Sequence, residues 1–289
     1  MPPVLVLARI TLVEASRRRL LLALGILSLV VVVFTGWGFT KIPDIRSGDP
    51  GAPPIPAAEV KLIASQLLTL VMFMFSGVLA LSAVLVSAAS ISGEAESGVL
   101  LAVLARPLSR AEVLLGKALG HAVVVIGYAA VGVALELVAV RLAVGYTPPH
   151  PAVLFAFLAA EGVVMVSLTM ALSTRLSGMT GGVIALGAYF AAWLGGVVGA
   201  IGAAFQNTAI MNVGSASRLL LPSDGLWRGA LWSLEPSSVL TAAQAAGRDA
   251  SANPFFAPAP PPVAYDAWCA FWVLVVLGIA LWSFARREI

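Results

Sequence analysis

Long, uninterrupted apolar stretches dominate the pattern of hydrophobic and polar positions along this chain of 289 residues. A helix needs about 20 mostly apolar residues to cross about 30 Å of hydrocarbon. Six stretches are long enough, at about residues 20–39, 62–91, 114–142, 152–173, 179–205 and 266–285. None alternates as a barrel strand does, and in lipid a helix satisfies its own backbone polar groups. The pattern predicts an all-α, polytopic membrane protein with six transmembrane helices in one domain, residues 1–289.

The composition excludes a water-soluble fold. Hydrophobic residues make up 60% of the chain and charged residues 11%, against roughly 45–50% and about 25% in soluble domains. The net charge of +3 is typical of loop charges that fix orientation, so we expect no nucleic-acid partner. Cys269 is the one cysteine, which leaves no basis for a cysteine metal cluster. We expect neither a metal nor another cofactor in this chain.

The basic residues near the ends of the six stretches predict an orientation. Seven of the 17 lysines and arginines are spread over long outer loops, where the positive-inside rule counts for little. The other ten fall on one side, which the rule identifies as cytoplasmic, so both termini are predicted on the cytoplasmic side of the cell membrane. These residues are Arg9, Arg17, Arg18, Arg19, Arg106, Arg110, Lys117, Arg175, Arg286 and Arg287. Residues 3–19 suit an amphipathic helix in the cytoplasmic interface, although a stem of the first span fits them as well.

Two loops are predicted on the outer side. Residues 40–60 are rich in proline and glycine, which disfavours a helix. Residues 206–265 form a large outer loop between helices 5 and 6, with an aromatic, amphipathic portion that includes Trp227 and Trp232. We expect part of this loop to lie at the membrane interface or to re-enter the membrane.

A short amphipathic helix is predicted on the cytoplasmic side, between the second and third spans. Glu94 and Glu96 stand at its start, where the helix dipole favours acidic residues. Leu100 and Leu104 recur at helical spacing, and Pro107 ends the run.

The order of motifs in this segment resembles the cytoplasmic coupling segment of exporter-type (type 2) ABC permeases. In that family an acidic pair, a glycine, an apolar helix, Arg-Pro, Ser-Arg and Gly-Lys follow one another. The matching positions here are Glu94, Glu96, Gly98, Arg106, Pro107, Ser109, Arg110, Gly116 and Lys117. Residues 220–236 are also similar to the outer segment of one permease subgroup.

The resemblance implies that the segment acts as a coupling helix, which transmits closure of an ATPase dimer to the spans. The alternative is a solvated connector without a partner. The implied ATPase-coupling residues are Glu94, Glu96, Gly98, Leu100, Leu104, Arg106, Pro107 and Arg110. Lys117 is followed by Ala118, so no phosphate-binding loop is present. ATP and Mg²⁺ are therefore expected in a partner ATPase, and the family implies two ATPase copies and a second permease subunit in a homodimer, surrounded by membrane lipid.

Ionisable residues within the spans need partners, because a charge in mid-bilayer costs about 2.5–3.5 kcal/mol. Glu136, Arg141 and Glu161 are predicted to converge as an intramembrane polar cluster. The cluster serves either as a structural ion pair or in substrate or proton handling. His121 is interpreted as a hydrogen-bonded residue at the cytoplasmic end of the third span.

Small and aromatic residues in the spans suggest a helix seam and a cavity. A stripe at every fourth position suits either a dimer or gating seam or packing within the subunit. It consists of Gly187, Ala191, Gly195, Gly199 and Ala203. A second set either lines a cavity for a lipophilic cargo or faces lipid. It consists of Met72, Phe73, Phe75, Tyr189 and Trp193.

These features together predict the transmembrane permease subunit of an ABC exporter, which moves an unidentified substrate by alternating access. An intramembrane enzyme is a weaker alternative, because the spans carry no recognisable catalytic set. A nucleotide-independent channel or membrane scaffold is the other alternative, which composition by itself does not exclude.

Overall fold

A computed structural model describes residues 2–16, 19–45, 55–98, 108–246 and 253–287. Within these ranges the regular structure is entirely helical, which confirms the all-α prediction. A 3₁₀ helix covers Ile42–Asp44. The α-helices are α1 (Pro3–Ser16), α2 (Arg19–Phe39), α3 (Ala57–Ser87), α4 (Ser92–Glu96), α5 (Arg110–Val144), α6 (Pro151–Ser173), α7 (Gly178–Ala204), α8 (Thr208–Leu220), α9 (Ser223–Leu234), α10 (Ser237–Ala246) and α11 (Val263–Ala285).

Six helices among the described residues are long and apolar enough to cross a membrane, as predicted: α2, α3, α5, α6, α7 and α11. Helix α6 is the most central of them, because 61% of the residues in its most apolar 18-residue stretch are buried. Helix α2 is the most peripheral, with 11% buried. An apolar surface of this extent is compatible with lipid as the solvent.

Helix α5 begins at Arg110, about four residues before the predicted third span. Its hydrophilic first turn is stabilised by a capping box. The Ser109 hydroxyl accepts a hydrogen bond from the Glu112 amide at 3.2 Å. The Glu112 carboxylate in turn accepts one from the Ser109 amide at 2.8 Å. This reciprocal pair satisfies free amide groups at the helix start. The helix ends at Gly145, whose φ of 67° is a conformation that glycine adopts without strain.

We call the end of the bundle that holds α4 and the start of α5 the near end, and the opposite end the far end. The C-terminus of α11 also lies at the near end, because Arg110 Nη1 donates to the carbonyl oxygens of Phe284 and Ala285 at 2.9 and 3.1 Å. Arg287 donates to the Thr174 carbonyl at 3.0 Å. Arginine thus satisfies the free carbonyl groups at two helix ends.

Helix α1 packs directly on α5. A Cβ atom added at Gly116 would lie 2.5 Å from the Leu7 Cβ, and one at Gly120 would lie 2.7 Å from the Thr11 Cβ. The absence of side chains at these glycines lets the two helices approach closely. Residues 3–16 of the predicted interfacial segment are therefore helical and pack against the first turns of α5 at the near end.

Helices α8 and α9 form a hairpin that descends from the far end into the bundle. The contact at Gly195 is Ser217, that at Gly199 is Gly214, and that at Gly202 is Met211. Because the two numbers change in opposite directions, α8 runs antiparallel to α7.

Helix α9 then packs beside α6 with buried side chains. Gly229 contacts Phe157, and Trp227 and Leu231 are 3% and 0% exposed. The large loop that was predicted between the fifth and sixth spans, now α7 and α11, therefore contributes a buried hairpin to the core of the bundle.

The contact between α7 and α8 predicts a position-dependent effect on stability. Replacing Gly199 by leucine should lower the free energy of unfolding by about 1–3 kcal/mol, because the side chain would overlap the Gly214 backbone. Thermal unfolding of the detergent-purified chain measures the change.

Gly187→Leu on the same helix is the matched control, because a Cβ atom there meets nothing within 4 Å. This variant should change stability by less than about 0.5 kcal/mol. Equal losses in both variants would contradict the packing described.

Candidate functional site

The near end holds a polar junction that connects α4 to α5. The Lys117 ammonium forms an ion pair with Glu94 and donates a hydrogen bond to the Ser90 carbonyl oxygen at 3.2 Å. Lys117 is buried, whereas 23% of the Glu94 side chain is exposed. His121 Nε2 lies 2.9 Å from the Ser90 hydroxyl, so it also contacts the connection between α3 and α4. We call Ser90, Glu94, Lys117 and His121 the near-end junction.

A small cavity of about 210 Å³ opens beside the near-end junction. Its walls come from α1, from the connection between α3 and α4, and from α5. The lining residues are Thr11, Glu14, Ala89, Ser90, Gly93, Glu94, Lys117 and His121. Three helices, α1, α4 and α5, therefore meet at one set of polar groups.

Two of the sequence-predicted coupling residues have partners within the chain, two are exposed, and four lie outside the described residues. Glu94 has its partner within the chain, on α5, whereas Glu96 and Gly98 are exposed. Arg110 binds carbonyl oxygens at the end of α11. Four others lie outside the residues that the structure describes: Leu100, Leu104, Arg106 and Pro107.

Glu161 lies in a buried polar group that joins α6 to α3 and α7. The Ser76 hydroxyl donates to the two Glu161 carboxylate oxygens at 3.0 and 2.9 Å. The Ser76 hydroxyl oxygen also lies 2.9 Å from that of Tyr189. Glu161 and Ser76 are 1% and 0% exposed, so this bonding satisfies polar groups that water does not reach.

Glu136 has a different partner, and the predicted three-residue cluster does not form. The Thr35 hydroxyl of α2 donates to Glu136 at 2.9 Å. Arg141 is exposed and forms no salt bridge within the described ranges. Glu136 of α5 bonds to α2, whereas Glu161 of α6 bonds to α3. The two glutamates therefore belong to different helix contacts, although the sequence suggested similar depths in the membrane.

The residues predicted to line a cavity have several environments. Phe75 and Glu136 line an apolar cavity of about 180 Å³ between α2, α3 and α5. Met72 is fully buried in the core. Phe73 and Trp193 belong to an aromatic group, with ring centroids 5.4 Å apart. Tyr189 is part of the polar group at Glu161.

The small-residue stripe is divided in the same way. Gly195 and Gly199 pack within the subunit, against Ser217 and Gly214 of α8. Gly187 and Ala191 remain exposed on the half of α7 that α8 does not cover. Intrasubunit packing therefore accounts for the far half of the stripe.

Sequence reasoning missed the charged group at the tip of the α8–α9 hairpin. Asp224 is buried, 2.8 Å from Arg218 Nε and 3.6 Å from Arg228 Nε. It packs beside Gly196, where a Cβ atom would overlap its carboxylate. Both arginines belong to the predicted outer loop, residues 206–265. The spacing of Asp224 and Arg228, four residues apart on one helix, was the available signal.

The protein belongs to the class of multi-pass α-helical membrane proteins, because it has six apolar helices that are long enough to cross a membrane. Its near end carries a charged junction. A family model described as "ABC-2 family transporter protein" matches residues 7–289. The chain belongs to this family, which confirms the resemblance seen in the sequence.

Two curated relatives carry the same kind of name. The chain is 34% identical over 124 residues to the "Probable ABC transporter permease protein NosY" of Pseudomonas aeruginosa, over 43% of this chain and 40% of that relative. It is 33% identical over 136 residues to the protein of the same name from Stutzerimonas stutzeri, over 45% of each chain. The matched region thus spans less than half the length of these relatives.

The ion pair at the near-end junction predicts a measurable coupling energy. A double-mutant cycle of Glu94→Gln and Lys117→Met should give about 1–3 kcal/mol of interaction, because one partner is buried. Thermal unfolding of the four proteins supplies the values. Glu96→Gln is the control, since Glu96 is exposed on the same short helix and should change little. Additive losses in the cycle would show that the pair contributes no coupling.

The buried polar group predicts a selective loss on α3. Ser76→Ala should destabilise the protein by about 1–3 kcal/mol, because it removes a donor from a buried carboxyl group. Ser82→Ala is the matched control: its equally buried hydroxyl donates to the Val78 carbonyl of its own helix at 2.7 Å. Thermal unfolding compares the two variants. A loss no greater for Ser76→Ala than for Ser82→Ala would refute this role.

Proposed function

We propose that the chain is the permease subunit of an ABC exporter, moving an unidentified substrate by alternating access. Separate ATPase subunits hydrolyse ATP with Mg²⁺ and supply the energy. The observation that carries the proposal is the near-end junction, where a short segment with family-type motifs is ionically attached to a spanning helix. The names of the two relatives support the same role.

The mechanical argument rests on the continuity of α5. At about 1.5 Å per residue, its 35 residues extend about 50 Å from the near end. Lys117 attaches its first turns to α4, and Arg110 attaches the same turns to the end of α11. A force on the coupling segment is therefore delivered to two spans at once, as a rigid-body movement requires.

The proposed assembly contains two ATPase copies and a second permease subunit, as a homodimer. The exposed half of α7 around Gly187 supports a role in contact with that second copy or with membrane lipid. The near end faces the cytoplasm of a cell membrane, which places both termini inside. The distribution of lysine and arginine supports this orientation. No nucleic-acid partner is part of the proposal.

Two of the predicted coupling residues, exposed Glu96 and sequence-predicted Leu104, provide the sharpest test. Glu96→Lys and Leu104→Asp should reduce co-purification of the ATPase and its stimulation by at least about tenfold, a loss of about 1.4 kcal/mol in docking. Native purification with mass spectrometry identifies the ATPase, and proteoliposomes measure its activity. Glu94→Lys is a less specific variant, because it also places a second cation beside Lys117.

Glu59→Lys is the matched control, since Glu59 is exposed at the opposite, far end of α3. It should leave both ATPase binding and stimulation unchanged. Full ATPase binding and stimulation in Glu96→Lys and Leu104→Asp would contradict the proposed coupling role. Uphill solute movement by the chain without nucleotide or partner would contradict the permease assignment itself.

A further inference from the structure

A buried carboxylate at the far end has one oxygen without a partner. Glu235 follows α9 directly and is 6% exposed. Its Oε1 accepts a hydrogen bond from the Ala257 amide at 3.0 Å. Its Oε2 is buried and has no hydrogen-bond partner in the described part of the chain. A buried acceptor left in this state is costly, so the atom is suited to receive a donor.

Glu235 lines a cavity of about 280 Å³ between α3, the start of α10 and the segment around Phe255. The lining residues are Ser65, Gln66, Thr69, Leu70, Glu235, Pro236, Val239, Asn253, Phe255 and Phe256. Gln66 and Asn253 are exposed, so the cavity is accessible from the surface. A second cavity of about 340 Å³ shares both of these residues.

Two buried hydroxyl groups of this cavity present acceptor oxygens, whereas the exposed amides of Gln66 and Asn253 can both donate and accept. The Ser65 hydroxyl donates to the Leu62 carbonyl at 2.7 Å, and the Thr69 hydroxyl donates to the Ser65 carbonyl at 3.0 Å. Each hydroxyl therefore donates its hydrogen bond within α3, and its oxygen can still accept one from a ligand. Together with Glu235 Oε2, these oxygens favour a ligand with several donors.

The charge and shape of the site narrow the ligand further. Glu235 is the one charged residue among those that line the cavity. Groups of three or more His, Cys, Asp or Glu that could hold a metal do not occur in the described ranges. The Phe255 and Phe256 rings supply apolar surface and can also face a cation. A cation with N–H donors and an apolar body fits this combination.

Burial raises the pKa of Glu235 to about 7. The carboxyl group is therefore divided between its two protonation states near neutral pH. A bound cation would favour the ionised state and supply the missing hydrogen bond to Oε2.

We propose that the far-end cavity binds a small primary ammonium compound, whose N–H groups bond Glu235 Oε2 and the oxygens of Ser65 and Thr69. Its alkyl part packs on Phe255 and Phe256. Binding requires neither the ATPase nor transport, so it is measured on the isolated chain and is independent of the proposed exporter function.

The test compares n-butylammonium with n-butanol, its uncharged counterpart of similar size, on the detergent-purified full chain. Millimolar n-butylammonium should raise the Tm by about 2–4 °C in a saturable manner, while n-butanol should not. Isothermal titration calorimetry then gives the Kd. Equal effects of the two compounds, or no effect of n-butylammonium, would overturn the proposal.

Two variants and one control locate the site. Glu235→Gln keeps an acceptor for the Ala257 amide but removes the charge, and should weaken n-butylammonium binding at least tenfold. Val239→Phe fills the cavity and keeps the charge, and should weaken binding similarly. Glu96→Gln removes an exposed charge from α4 at the near end and should leave the Kd unchanged. Binding that persists in both site variants, or that is lost equally in the control, would refute the assignment.

Discussion

The structure depends on one constraint: polar groups surrounded by hydrocarbon must be satisfied by the protein itself. Helices meet this requirement for the backbone, and short-range bonding meets it for many side chains. The hydroxyls of Ser82, Ser87 and Ser167 each donate to a carbonyl four residues earlier. Glu161 meets the same requirement across three helices, through Ser76 and Tyr189. The second kind of bonding fixes which helix faces meet, because the partners lie on different helices.

Close approach between helices is the second feature that holds the bundle together. Lipid offers no hydrophobic drive for helix association, so tight packing through small residues takes its place. Gly116 and Gly120 admit α1, whereas Gly199 and Gly202 admit α8. The resulting hairpin of α8 and α9 brings a buried charged group to the tip, where Asp224 is paired with two arginines. The far half of the bundle is thus closed by a segment that does not cross it.

The two ends of the protein are organised differently. At the near end, basic side chains bind carbonyl oxygens and Glu94, and these bonds connect α4, α5, α6 and α11. At the far end, Glu235 retains an unpaired oxygen beside a cavity. The near end is thus held together by ionic and hydrogen bonds between helices, whereas the far end retains an accessible cavity beside an unpaired carboxylate oxygen.

The sequence by itself determined the helical class, the six spans and the family, because span length and the order of local motifs are read along one segment at a time. It also indicated Lys117 and Glu94, but not that they bind each other. The intramembrane cluster was wrong in its grouping: Glu136 and Glu161 have partners on different helices. Only the tertiary structure decided these pairings, the depth of Asp224 and the environment of Glu235, because each depends on which faces of distant helices come into contact.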